Sequence, residues 1–479
     1  MNHLTRRCFL SSSAFAAGAV ALSQVKPARA SHTGGGAGST PELPDSIDDQ
    51  FGRVRRVIFA VSDGMSMGTM TLADLYSKTV LGQDSYWPAL MMRPDVRSGL
   101  CTTHSADSLV TDSAAASTTW STGQKTYNKS IGYSVEREAL TPILQRVHGA
   151  GYRTGLVTTA KVTDATPAGF IANVPVRTME QEIAKQILDR APNVVLGGGG
   201  RYFGEDARSG FGGRYITNPR AIGDARQRRS LVGIFSDDHI PYTLDRDGDD
   251  ADLLGMTREA IEQLDYLEGG FLVQVEAARV DHAAHNNDAV SMILEQIEFD
   301  RTLRYLASYA SGRDDTLLLV TTDHGNGNPG LNVYADSARR GLLSLANAQR
   351  SFDWIFHELR ERDPELRNLG VQREVINFAT GVPLKNADLA YLNPKVEGRA
   401  NLFHEADSVS SRLSSLLANR SGVAFSSKNH TSDMVLFSAV GVGADLFPAL
   451  IDNTDILPRL MHLMGVERMA VGSGAKARA

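Results

Sequence analysis

Val57-Ile58-Phe59-Ala60-Val61-Ser62-Asp63-Gly64 is an apolar run of strand length that ends on a carboxylate and a glycine. Apolar residues at consecutive rather than alternate positions predict a strand covered on both faces, as in a parallel sheet between helices. Similar runs recur at 154–159, 194–196, 271–276, 316–321 and 434–439. Between them, 140–149, 179–190, 256–267 and 289–309 read as helices. This alternation predicts an α/β fold with a mostly parallel central sheet and helices on both faces. No internal repeat is visible.

Two ranges depart from the pattern. Residues 197–250 are rich in Gly, Arg and Asp and read as a long excursion. Residues 331–428 read as a second insertion, lid- or crown-like, with helical stretches near 343–362 and 405–419. The catalytic domain is expected over 51–479, frayed from about Val471.

The first 30 residues read as a leader rather than fold. Arg6-Arg7, then Phe9-Leu10, an apolar run over 15–22 and Ala28-Arg29-Ala30 suit a twin-arginine export signal cut after Ala30. The alternatives are a membrane anchor or a lipidated Cys8. Residues 31–50 are Gly/Ser/Pro/Asp-rich and read as a flexible linker. The expected location is periplasmic or extracellular. Removing the leader takes four of the 49 basic residues and none of the 55 acidic ones, so the formal charge moves from −6 to −10. That balance excludes a basic nucleic-acid-binding footprint. No later apolar stretch reaches the roughly 18–20 residues of a membrane span. Cys101 would remain as the single cysteine, so no intrachain disulfide is expected.

The chemistry gathers at strand ends. The runs at 57–62, 271–275 and 317–321 lead into Asp63, Glu276 and Asp323-His324. Ligands of open α/β sheets collect beyond the carboxyl ends of the strands. Several carboxylates delivered to one edge repel unless cations sit among them. Asp281 and His285 are four residues apart, which places both on one face of a helical turn, and His430 lies near the end of the chain. Mixed Asp and His sets suit zinc. The remaining histidines (His3, His32, His104, His148, His239, His357, His404 and His462) lack such a context. In Thr111-Asp112-Ser113-Ala114-Ala115-Ala116-Ser117, small residues follow Ser113 into a candidate helix start. Ser113 is either a metal-activated nucleophile facing an anion at the helix N-terminus or simply the N-cap.

The segment Asp112-Ser113-Ala114-Ala115, continuing through Trp120-Ser121-Thr122-Gly123 and Lys125-Thr126-Tyr127-Asn128, resembles the nucleophile segment of alkaline phosphatases. The likeness extends through 57–64, Asp164-Ala165-Thr166-Pro167, 196–200, Val275-Glu276, 281–285, Thr322-Asp323-His324 and His430, in the family's order. It implies an exported phosphomonoesterase acting on small phosphomonoesters through a phosphoserine on Ser113, with inorganic phosphate as product and inhibitor. It implies two zinc ions and one magnesium ion: Asp281, His285 and His430 for the first zinc; Asp63, Asp323 and His324 for the second; and Asp63, Thr166 and Glu276 for magnesium. Arg177 would clamp phosphate oxygens and Asp112 would orient that arginine. Two neighbouring positions, which pair Asp with Lys or His with His in relatives, read Asp164 and His282 here. A homodimer is implied by analogy. The rival readings are a phosphodiesterase or nucleotide pyrophosphatase on the same scaffold, and a non-catalytic phosphate-binding protein.

Overall fold

The computed structural model describes residues 51–223, 230–363, 368–393 and 408–466. The expected leader, the linker and the end of the chain from Val471 lie outside those residues.

Ten strands form one sheet. In chain order they are β1 (Arg56–Ser62), β2 (Val96–Thr102), β3 (Arg153–Lys161), β4 (Val194–Gly198), β5 (Arg214–Ile216), β6 (Leu231–Ile234), β7 (Phe271–Ala277), β8 (Thr316–Thr321), β9 (Val435–Gly441) and β10 (Leu450–Asp452). Their spatial order is β10-β2-β9-β8-β1-β7-β3-β4-β6-β5. Only β9 runs antiparallel to its neighbours, β2 and β8. The helices that matter for the site are α1 (Ser113–Thr122), α2 (Ala165–Ile171), α3 (Arg279–His285), α4 (Ala289–Ser311) and α5 (Phe352–Arg362).

β1 shows why the sheet is parallel and central. Ile58 and Ala60 belong to the apolar core on one face, and Val57, Phe59 and Val61 to the core on the other. Burying a large aliphatic or aromatic side chain contributes roughly 1.5–3 kcal/mol, so this strand is stable only between two helical layers. Phe59 packs against Trp120 of α1 and Phe170 of α2, at ring-centroid distances of 5.1 and 5.2 Å.

The 197–250 range is less of an excursion than its composition predicts, because it supplies the edge strand β5 and its neighbour β6. The helical stretch expected over 343–362 is two helices, Ala335–Leu345 and α5, broken just before Ser351, whose hydroxyl accepts the Trp354 N–H and starts α5. The described part of 331–428 also holds helices Leu369–Thr380, Asn386–Leu392 and Val409–Ser421, around a small core that includes Ile355, Leu389 and Leu413. Cys101 is buried within β2 as a free thiol. Among the described residues no helix is long and apolar enough to cross a membrane.

Candidate active site

β8, β1 and β7 are adjacent at the centre of the sheet, and their register brings their carboxyl ends level. Val61 pairs with Glu276 on one side and Thr321 on the other. Asp63 and Asp323 each follow their strand by a residue or two, so three acids converge on one edge. Gly64 lets them converge. Its φ is +67°, and a Cβ there would lie 2.3 Å from Asp281 Oδ1.

The start of α1 rules out the capping reading of Ser113. Asp112, in extended conformation, accepts the Ala115 N–H on Oδ1 at 3.0 Å and is the N-cap. Ser113 is therefore the first helical residue and its hydroxyl is not used in capping. Its Oγ lies 3.1 Å from His324 Nε2, and the residue is 4% exposed. The small residues after it let α1 approach α2. Ser117 Oγ donates to Thr166 O at 2.6 Å, and a Cβ on Gly169 would fall 2.3 Å from that hydroxyl.

Asp281, His285 and His430 come together from α3 and from the short ribbon that pairs His430–Thr431 with Gly325–Asn326. His285 Nε2 is 3.2 Å from Asp281 Oδ2 and 3.0 Å from His430 Nε2, which is itself 3.8 Å from Asp281 Oδ1. Each ring donates from Nδ1 to a carbonyl oxygen: His285 to Lys428 at 2.6 Å and His430 to Thr111 at 3.0 Å. Rings so held turn Nε2 into the site, and, against the effect of burial, the Asp281 charge raises His285 above its ordinary value. Two Nε2 atoms facing each other across 3.0 Å, beside a carboxylate, form a site that a shared cation stabilises.

The second set is Asp63, Asp323 and His324. His324 Nε2 lies 3.0 Å from Asp323 Oδ2 and 3.9 Å from Asp63 Oδ1. Asp63 Oδ1, Asp323 Oδ2 and His324 Nδ1 are buried with no hydrogen-bond partner. Buried polar atoms are rarely left in that state, and an ion is one explanation of it. In the third set, Thr166 Oγ1 donates to Asp63 Oδ2 at 3.0 Å, and Glu276 Oε2 accepts the Thr158 hydroxyl at 2.5 Å. Burial first, then the nearby Asp164 and Asp323 charges, pushes Glu276 up to about 8. Burial and the Asp323, Asp281 and Glu276 charges raise Asp63 well above the usual carboxylate range. Arg177, on the loop after α2, reaches Asp112 Oδ2 at 3.3 Å and Asp164 Oδ1 at 2.8 Å.

Residues 54–466 match the family described as Alkaline phosphatase. The chain belongs to the alkaline phosphatase family. It is accordingly an enzyme, a phosphoric monoester hydrolase of a metal-dependent family. Alkaline phosphatase 4 of Bacillus subtilis is 28% identical over 424 residues, covering 84% of this chain and 87% of the relative. The crystal structure of the Thermus thermophilus alkaline phosphatase superposes with a TM-score of 0.80 at 28% identity, over 90% of this chain and 96% of that one. A cold-active alkaline phosphatase from Shewanella sp. gives a TM-score of 0.71 at 27% identity, over 85% and 99%.

Against that family, one residue of the site escapes a reading of the sequence. His239, set aside for want of context, packs its ring 4.3 Å from that of His282, centroid to centroid. The possible ligand atoms of Asp164, His239 and His282 all lie within 4.8 Å of one another. Burial first, then the Arg279 charge, lowers His239 to about 3. Burial, then His239 and Arg279, holds His282 well below its ordinary value. Both shifts favour the neutral ring. The only local signal for His239 was the acidic pair Asp237-Asp238 before it. The contact itself depends on how residues 235–240 fold back over the end of β3.

Proposed function

We propose that this alkaline phosphatase hydrolyses phosphate monoesters to an alcohol and inorganic phosphate through a phosphoserine on Ser113, using two zinc ions and one magnesium ion. The observation that carries the proposal is the uncapped Ser113 hydroxyl at the start of α1, 3.1 Å from His324 Nε2, with Arg177 held by the adjoining Asp112. Asp281, His285 and His430 would hold one zinc. Asp63, Asp323 and His324 would hold the other, and Asp63, Thr166 and Glu276 the magnesium. When bound, the ions supply positive charge and Lewis acidity to the oxygens around phosphorus.

The chain's own residues do the rest. Arg177 offers two parallel N–H groups to two phosphate oxygens, a geometry that suits a guanidinium fork. Asp112 and Asp164 hold the fork in place before substrate arrives, which removes an ordering cost from binding. The free N–H groups at the start of α1 face the same anion. Ser113 Oγ gives up its proton and forms a bond to phosphorus as the bond from phosphorus to the alcohol oxygen breaks, and that oxygen takes up a proton to leave as the alcohol. Water then cleaves the Oγ–P bond, restoring the serine and releasing inorganic phosphate. The proposal includes export of the enzyme, supported by Arg6-Arg7 and Ala28-Arg29-Ala30.

Turnover of p-nitrophenyl phosphate beside bis(p-nitrophenyl) phosphate, with metal analysis of the purified protein, tests it. The expected outcome is strong preference for the monoester, abolished in Ser113→Ala. Preference for the diester would install the phosphodiesterase reading. Phosphate binding with no turnover of either would make the chain a binding protein.

A further inference from the structure

The histidines around the site differ in which ring nitrogen is engaged from outside. His285 and His430 turn Nδ1 to carbonyl oxygens, which leaves Nε2 facing the site. His282 and His239 are the reverse. His282 Nδ1 lies 3.0 Å from Arg279 Nη1, and a guanidinium only donates. His239 Nδ1 accepts the Lys161 backbone N–H at 3.3 Å. A neutral ring whose Nδ1 accepts carries its proton on Nε2. Asp164, His239 and His282 are therefore a carboxylate among N–H donors rather than three ligands awaiting a cation. His282 Nε2 is 3.8 Å from Asp164 Oδ2, while Asp164 Oδ1 takes Arg177.

What fixes the His282 ring lies outside the catalytic segments. Arg279 is buried, and its guanidinium sits 3.6 Å above the Tyr242 ring. Its Nη2 pairs at 3.0 Å with Oδ2 of Asp353, on α5 of the 331–428 insertion. Asp353 Oδ1 accepts Asn286 Nδ2 at 2.9 Å, so this one carboxylate grips α3 at its first residue and at its C-cap. The start of α5 is itself fastened. The Phe352 N–H donates to Asp288 Oδ2 at 2.7 Å, and the Ser351 N–H and hydroxyl donate to Asp245.

We propose that Arg279 is a positioning residue, held by Asp353 of the insertion, that fixes His282 with Nε2–H turned toward Asp164 and the Arg177 clamp, so that the insertion governs how firmly phosphate is retained. The statement about phosphate rests on the phosphomonoesterase reading; the statement about the ring does not. If Asp353 is removed, Arg279 loses its ion pair and the His282 ring gains freedom to turn. The clamp carboxylate then loses a fixed donor beside it.

Two readouts test this on the full-length enzyme. Nitrogen-15 NMR of histidine-labelled protein, with the His282 signal assigned through His282→Asn, reports which ring nitrogen carries the proton. Product inhibition by inorganic phosphate reports retention. In wild type the Nε2–H form of His282 is expected. In Asp353→Ala, at a position whose side chain is half-exposed, the phosphate inhibition constant should rise by about threefold to tenfold, the range set by one hydrogen bond. The unfolding midpoint is expected to fall, because the buried Arg279 loses its partner, so Arg279→Met, which leaves no unpaired buried charge, separates positioning from stability. Arg279→Met should weaken inhibition further and mix the two ring forms, and Arg279→Lys should restore part of the loss. An inhibition constant within about twofold of wild type in Asp353→Ala, with the His282 ring form unchanged, overturns the inference. A wild type that turns over no phosphomonoester overturns the functional reading, and the NMR result then still decides the positioning role.

Discussion

His285 and His430 point their Nε2 atoms at each other across 3.0 Å, each ring locked by an Nδ1–H bond to a backbone carbonyl. Neither ring can turn to relieve the contact without abandoning its carbonyl. A cation between the two Nε2 atoms would relieve that contact. His430→Ala is expected to lower the bound zinc by one equivalent and to reduce kcat/KM by at least about 10³-fold. Metal analysis beside steady-state kinetics checks it; full zinc content in the variant would count against the assignment.

Glu276 and Asp63, with the buried Asp288 and Glu295, contribute to the response to pH once the ions are stripped. Burial, then neighbouring carboxylates, moves Glu276 from 4.5 to about 8 and raises Asp63 as well. A carboxyl whose pKa rises on folding stabilises the fold fully below its unfolded value, and that contribution is lost as pH rises toward the folded value. The chelator-treated protein should thus lose thermal stability between about pH 6.5 and pH 8, above the range in which the depressed His239, His282 and His430 oppose the trend. Asp281 and Asp323 are shifted downward, so their contribution is lost only on the acid side of 3.8 and does not mask the trend. Rebinding of divalent cations at pH 7 should release about one proton or more, measurable by calorimetry in buffers of different ionisation enthalpy. A midpoint that rises over this window, with no proton released, would contradict the account.

Asp112 carries two separable duties. Oδ1 caps α1, while Oδ2 accepts the Lys129 N–H at 3.0 Å and Arg177 at 3.3 Å. Asparagine also caps helices but offers no charge to the guanidinium. Asp112→Asn should raise KM by about fivefold to tenfold with little loss of stability. Asp112→Ala should add about 1 kcal/mol of destabilisation from the lost cap. Equal unfolding midpoints for the two variants would show that the cap is not what distinguishes them.

His282→Lys is expected to tighten inhibition by inorganic phosphate, because an ammonium replaces a neutral ring beside the Arg177 clamp. Arg279 lies against the same position, and its like charge limits the gain. A gain of about twofold to tenfold in the His282→Lys variant, read from product-inhibition kinetics, fits both statements. An unchanged constant would remove this position from phosphate binding.

The centre of the fold is legible in the sequence because β1, β7 and β8 are largely apolar runs that lead into acids. The edges are not. β2 reads Val-Arg-Ser-Gly-Leu-Cys-Thr, half polar, and β5 and β10 are three residues long. Such strands are recognised by their neighbours rather than by their own pattern. The same contrast holds in the site. Asp63, Glu276, Asp323 and His324 follow strands, and Asp281 and His285 share a helical face. Arg279 was within reach too, since it stands three residues before His282 on α3 and so on the same side. His239 and Asp353 were not, because each arrives from an insertion whose path over the sheet has no periodicity to betray it.

Asp63 turns Oδ1 toward His324 and Oδ2 toward the Thr166 hydroxyl. One rigid carboxylate thus forms a wall of two compartments. Whatever occupies either compartment pulls on the same electron density and the same torsion angle, so neither fills as if the other were not there. Affinities at the two must be linked, and linked equally in both directions. Metal exchange at this centre is then a property of the pair, and a titration with a single cation should bend where two independent sites would give a simple sum.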